Sequence, residues 1–176
     1  MGAGGDDSLD GGAGADRLEG GDGFDTVHGG DDNDLILLGE DDDVGRGGTG
    51  NDTIDGEDGN DSLFGGAGND LLQDTADNSE GWMEGEAGDD TLLGGLDGDM
   101  LLGGDGRDSI VGGGGKDSIS GGAGDDFLEG GRGNDTAFGG AGDDSFLWNP
   151  GDGDDTFDGG AGVDTLVFNG SNGNEL

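Results

Sequence analysis

The chain has no cysteine and no tyrosine, one proline, and five basic residues against 44 acidic ones in 176. Each scarcity excludes something. Without cysteine there are no disulfide staples and no thiolate-ligated metals. At a formal net charge of −39, a nucleic-acid backbone or an anionic membrane surface would be repelled. No apolar run approaches the roughly 18 residues of a membrane span, so no membrane insertion is expected. Met1-Gly2-Ala3-Gly4 has neither the basic start nor the apolar stretch of a signal peptide. Leu, Ile, Val and Phe together number 33, about 19% of the chain. Such a composition belongs to disordered chains, because too little apolar surface is available to offset the ordering entropy. Two readings survive: a disordered acidic chain, or one whose missing stabilisation comes from bound cations.

What the chain has in excess is glycine, 50 residues of it, and the glycines are periodic. Written in nines, Gly11–Glu19 reads GGAGADRLE, Gly47–Asp55 reads GGTGNDTID, Gly103–Val111 reads GGDGRDSIV and Gly159–Val167 reads GGAGVDTLV. The frame holds from Gly2 to Gln73, from Gly85 to Leu147 and from Pro150 to Val167, giving 17 nonapeptides. The first position is Gly in 15 of them, with Leu38 and Pro150 as exceptions. The second is Gly in 14 (Ala3, Glu57 and Glu86 depart), and the fourth is Gly in 14 (Asp32, Asp41 and Asp97 depart). The sixth is Asp in all 17, and the eighth is a large apolar residue in 15, failing at Gly45 and Ala137. A disordered acidic chain has no reason to hold Asp at one phase seventeen times.

This consensus, GGxGxDxUx with U large and apolar, resembles the RTX (hemolysin-type) calcium-binding nonapeptide repeat, and the resemblance covers nearly the whole chain. The stretch Phe146–Phe157 followed by Gly159–Phe168 is similar to the way such arrays close. The resemblance implies an all-β fold, a right-handed parallel β-roll with each ion held between turns stacked one coil apart. It also implies a secreted, extracellular protein of bacterial type, exported by type I secretion machinery. Such a chain stays unfolded where calcium is scarce and folds outside, where it assists secretion and supports an attached domain.

The residues agree with that chemistry. Glycines allow tight turns through positive φ that bring carbonyl oxygens together. Adding the position-six carboxylate makes an all-oxygen donor set, which suits Ca2+ far better than zinc or copper. The candidate metal ligands are therefore Asp7, Asp16, Asp25, Asp34, Asp43, Asp52, Asp61, Asp70, Asp90, Asp99, Asp108, Asp117, Asp126, Asp135, Asp144, Asp155 and Asp164, with carbonyls of the Gly-rich turns. The x-U-x triplets alternate outward, inward, outward, as three-residue strands between six-residue turns. Two repeats then make one 18-residue coil, and the coils build two thin parallel sheets around one apolar interior. The roll is expected over 2–167, with a degenerate, inserted repeat at 74–84, a two-residue insertion at 148–149 and a truncated exit at 168–176. Counting the degenerate repeat gives about nine coils, roughly 40 Å at ~4.8 Å per strand.

Sorting the inward residues by sheet gives two columns. One is Leu9, Val27, Gly45, Leu63, Met83, Leu101, Ile119, Ala137 and Phe157; the other is Leu18, Ile36, Ile54, Leu72, Leu92, Ile110, Leu128, Phe146 and Leu166. Nine turns per edge leave 16 gaps, and Gly81, standing where the others have Asp, weakens two of them. Fourteen Ca2+ ions would add 28 positive charges and leave a net charge of −11 from −39. Without them the stacked carboxylates repel, by about 1 kcal/mol per neighbour in water and by several in a less polar site.

Other features carry less. Position-five Asp6, Asp42, Asp89, Asp125, Asp143, Asp154 and Asn33, Asn51, Asn60, Asn69, Asn134 are read as turn supports rather than ligands. Asp32, Asp41 and Asp97 are read as local distortions, and Leu38–Arg46 (LGEDDDVGR) as the poorest ordinary repeat, with a weak or empty site. His28 faces outward, and there is no HExxH and no full EF-hand loop, so no enzyme is expected. Apolar position-nine residues of the second half, with Leu147, Trp148, Val167 and Phe168 at the far end, form either a docking patch for an adjacent domain, an end cap, or simply exposed apolar surface. The alternative function is a binding surface for adhesion, carbohydrate or ice carried by the folded roll. An ice-binding ladder is poorly supported, since only Thr49 with Asn51 fits one. No C-terminal secretion segment is evident after Asn172, so the chain reads as an excised region of a larger protein.

Overall fold

The computed structural model describes residues 1–74, 80–149 and 153–169. Of the interrupted repeat, residues 75–79 lie outside the described residues, as do 150–152 and, in the expected exit, 170–176. Eighteen strands and no helix are present among the described residues. One sheet holds the odd strands in order: β1 (Ser8–Ala13), β3 (Thr26–Asp31), β5 (Val44–Thr49), β7 (Ser62–Ala67), β9 (Trp82–Ala87), β11 (Met100–Asp105), β13 (Ser118–Ala123), β15 (Thr136–Ala141) and β17 (Thr156–Ala161). The other holds the even ones: β2 (Arg17–Asp22), β4 (Leu35–Glu40), β6 (Thr53–Asp58), β8 (Leu71–Gln73), β10 (Thr91–Leu93), β12 (Ser109–Gly115), β14 (Phe127–Gly133), β16 (Ser145–Trp148) and β18 (Thr165–Phe168). Every neighbouring pair is parallel, and the chain passes from one sheet to the other at each repeat. This is a parallel β-solenoid of the β-roll kind.

The two expected columns are the observed ones. Leu9 pairs with Val27, Val27 with Gly45 and Gly45 with Leu63 in the odd sheet, and Leu18 with Ile36 and Ile36 with Ile54 in the even sheet. Across the interruption the register resumes, with Leu63 opposite Met83 and Leu72 opposite Leu92. It resumes again across 148–149, with Ala137 opposite Phe157 and Phe146 opposite Leu166.

Strand length differs from expectation. Most strands have six residues rather than three, running from position seven of one repeat to position three of the next. Glycine explains the extension. Without Cβ atoms, positions one and two stack closely on their counterparts one coil away, so the backbone ladder continues through them, as at Gly12 opposite Gly30. The true turn shrinks to positions four to six. Positions two and four mostly adopt positive φ, which glycine accepts freely; Ala3, Gly95 and Asp97 do not. Of the other residues there, Asp32, Asp41, Glu57 and Glu86 are held at φ of 65 to 78°, a conformation costing of order 1–3 kcal/mol.

Positions eight and one both face inward. Fourteen apolar residues form one buried core, with Leu9, Leu18, Trp148 and Phe157 packed against it. Each buried aliphatic chain contributes about 1.5–3 kcal/mol. At the far end Phe146 and Phe157 stack with ring centroids 5.1 Å apart, and Trp148 meets Phe168 at 4.6 Å. Leu38 belongs to this core although it occupies a glycine position, and it is fully buried. A Cβ built on Gly45 would meet its Cδ1 at 3.2 Å and Ile54 Cγ2 at 2.9 Å. Two of this repeat's exceptions, Leu38 and Gly45, are thus one exchange: the bulk missing at position eight is restored from position one.

Leu38→Gly should therefore destabilise the folded chain by ~2–5 kcal/mol. Gly45→Leu alone should destabilise it by overpacking. The double variant Leu38→Gly/Gly45→Leu should recover most of the loss. Chemical unfolding of the three variants measures this, and additive losses would contradict the exchange.

Candidate metal sites

The turns set the position-six aspartates along two edges of the roll. Asp7, Asp25, Asp43, Asp61, Asp99, Asp117, Asp135 and Asp155 occupy one edge, with Gly81 between Asp61 and Asp99. Asp16, Asp34, Asp52, Asp70, Asp90, Asp108, Asp126, Asp144 and Asp164 occupy the other. All 17 sequence-predicted residues are thereby stacked, the four in the terminal coils half-buried and the other 13 buried.

Each column is tied by one repeated bond. The position-six backbone N–H donates to Oδ1 of the position-six carboxylate one coil further on, at 2.6 to 3.1 Å, wherever that coil carries one; the coil after Asp61 has Gly81 instead. That bond fixes the carboxylate and leaves Oδ2. In Asp16, Asp25, Asp34, Asp43, Asp52, Asp61, Asp70, Asp90, Asp108, Asp117, Asp126 and Asp144 this second oxygen is buried and accepts no hydrogen bond. A buried carboxylate oxygen without a partner is costly, and here it recurs with the period of the fold.

Burial is the main reason these carboxyls resist ionisation. It pushes Asp61 up to about 8 and Asp117 to about 7, and Asp43, Asp70, Asp90, Asp108 and Asp126 to about 6. The backbone bond to Oδ1 opposes the shift, and neighbouring carboxylates add to it; for Asp61 the largest such neighbour is Asp74. The chain cannot supply the countercharge itself, having five basic residues for 44 acidic ones.

Main-chain oxygens face the same gaps. A Cβ built on Gly29 would meet Asp34 Oδ2 and, at 2.7 Å, the carbonyl of Gly47 in the next coil. One on Gly103 would meet Asp108 Oδ2 and, at 2.5 Å, the carbonyl of Gly121. At positions two and four the carbonyl of the preceding coil points at the stacked glycine, as Gly30 does at Gly48 and Gly50 at Gly68. A side chain at any of these glycines would fill the cradle. No group of three or more acidic or His side chains converges among the described residues, so a cation would draw largely on main-chain carbonyls. Abundant oxygens, no nitrogen or sulfur, and two carboxylates at most per gap fit calcium.

Three features were less legible beforehand. Position-five side chains brace coil to coil rather than within their own turn: Asn33 Oδ1 accepts from the Asn51 N–H, Asn51 Oδ1 from Asn69 and Asn69 Oδ1 from Asp89, at 2.9 to 3.1 Å. This ladder runs opposite to the position-six one, and the 18-residue spacing of the three asparagines was its signal. Asp43, in the repeat expected to be weakest, makes the same bonds as its neighbours. Asp74, not among the predicted ligands, is fully buried beside Asp61.

The raised carboxyls give a signed pH dependence. A carboxyl whose folded value lies above its ordinary 3.8 binds more protons folded than unfolded, so stability is lost as pH rises from about 4 to the folded value. Without metal ions, β-structure should therefore increase from pH 8 to pH 5, followed by far-UV circular dichroism in chelator. Asp61→Asn should weaken the dependence near pH 8. A chain that gains structure on raising the pH would contradict this.

No curated protein matches the chain. The family model for four copies of the RTX calcium-binding nonapeptide repeat matches residues 1–36, 10–44, 37–72, 82–101, 93–128, 102–137, 120–147 and 151–166. The matches step around the interrupted repeat and the insertion before Pro150, where the register is broken in sequence. With most of its length matched and the repeat stacked as a parallel β-roll, the chain belongs to the RTX calcium-binding repeat family.

Proposed function

We propose that this chain is a calcium-dependent folding module of a secreted protein, disordered without calcium and folded once exported. The observation that carries the reading is the recurrence, along both edges, of a buried position-six carboxylate oxygen that accepts no hydrogen bond, found in twelve of the aspartates. In this reading the 17 position-six aspartates, with main-chain carbonyls of the turns, hold about 14 to 16 Ca2+ ions between stacked coils. Calcium supplies positive charge and several coordination positions for hard oxygens in each gap. The chain's own part is to aim Oδ1 at the neighbouring amide, turn Oδ2 toward the gap, and keep side chains out of it with glycine.

The biological role follows from the switch. RTX repeats form a structural repeat family rather than an enzyme family, and the module is proposed to be non-catalytic. An unfolded acidic chain suits passage through bacterial type I secretion machinery, and folding in the calcium-rich exterior would favour outward movement and stabilise an attached domain. The exposed Val167 and Phe168 with half-buried Leu147 and Trp148 offer such a domain an apolar contact.

Calcium titration tests the reading. In chelator at neutral pH the far-UV spectrum should be that of a disordered chain, and millimolar Ca2+ should convert it cooperatively to β-structure. Mg2+ at the same concentration should fail, because it holds its water shell and demands tight octahedral geometry. An unchanged spectrum with Ca2+ would refute the proposal.

A further inference from the structure

The interrupted repeat is the one place where the position-six column lacks a carboxylate. Gly81 stands there, yet its backbone behaves as the others do: its N–H donates to Asp99 Oδ1 at 2.7 Å, and its carbonyl accepts from the Met100 N–H at 3.0 Å. The missing group is therefore the side chain alone.

A carboxylate nevertheless reaches the spot. Asp74 opens the same repeat at position one, where glycine is the rule, and its backbone is held by the bond from its N–H to the Leu93 carbonyl at 3.1 Å. Its side chain turns inward and is fully buried. A Cβ built on Gly81 would lie 2.6 Å from Asp74 Oδ2 and 3.4 Å from Asp99 Oδ1. A Cβ built on Gly56, one coil earlier, would meet Asp74 Oδ1 at 3.0 Å together with Asp61 Oδ2. In an ordinary repeat the corresponding contact is between a position-one glycine and the carboxylate of its own position-six Asp, as at Gly65 and Asp70 Oδ2, 2.5 Å. Here the same two positions meet with their residues exchanged. Independently of Asp74, Asp61 is 1% exposed and its Oδ2 accepts no hydrogen bond, so a buried oxygen faces this gap that only a cation or a proton would satisfy.

We infer that Asp74 supplies, from the first position of the interrupted repeat, the carboxylate absent at Gly81, completing with Asp61 a calcium site in a gap that the nonapeptide pattern leaves empty. The inference rests on the calcium-binding reading above. It fills one of the two gaps beside Gly81, and the repeat that breaks the register in sequence keeps a carboxylate in the row on this edge.

The exchange can be reversed. Gly81 is not among the residues with positive φ, so an Asp is accommodated by its backbone. Native mass spectrometry at fixed free Ca2+ counts ions per chain, with circular dichroism reporting the fold. Asp74→Asn should bind one Ca2+ fewer than the wild type, while Asp105→Asn on the exposed surface should keep the wild-type number. The variant Asp74→Gly/Gly81→Asp, which restores the nonapeptide pattern, should regain the lost ion. An undiminished count in folded Asp74→Asn would overturn the assignment, as would failure of the exchange variant to regain the ion. Should Asp74→Asn not fold, the exchange variant decides: a folded chain with the full count supports the assignment, and an unfolded one overturns it. A wild-type chain that binds no calcium would instead remove the calcium reading itself.

Discussion

The structure depends on how buried carboxylates are neutralised. An isolated carboxylate removed from water is among the most expensive groups a protein can bury. This chain buries thirteen of them at one repeat position alone, each with one oxygen committed to a backbone amide of the adjacent coil. Stacking the coils creates the column, and the column opposes stacking until something positive enters it. Apolar burial by itself does not overcome this, because each repeat contributes essentially one large inward side chain. On the proposed function, folding and calcium binding are one process at neutral pH, and the low aliphatic content serves that switch: a richer core would hold the roll together without ions.

Glycine acts on the same balance. At positions two and four it takes the positive φ that turns the chain, and at position one it leaves the space into which the carboxylate points. The cost is a flexible, entropically expensive unfolded state. Repetition offsets it, since each coil added to the roll stacks on an existing template and completes another row of oxygens.

Much of this was legible in the sequence because the fold is nearly one-dimensional. Period nine placed each U residue in its sheet, and the pairings Gly45 with Leu63 and Leu63 with Met83 follow from counting alone. The position-six aspartates were legible as a stacked column for the same reason. What counting missed are local exceptions that compensate for each other. Leu38 and Gly45 each read as a defect against the consensus, yet in three dimensions one fills the space the other leaves. Asp74 and Gly81 stand in the same relation for charge. Such pairs are invisible to a position-by-position comparison, because positions one, six and eight of a repeat meet only after the turn is closed. The six-residue strands were underestimated for a related reason: glycine has low strand propensity, but stacked on glycine in an adjacent coil it forms the ladder readily.

The central claim is that the two edges are rows of calcium sites and not merely acidic surfaces. Anomalous scattering from crystals of the calcium-loaded chain tests it most directly. The account predicts two lines of ions, one along each edge, with an ion in the gaps bounded by position-six carboxylates such as Asp108 and Asp126. A folded roll whose gaps hold no ions, or ions confined to the exposed acidic face, would contradict it.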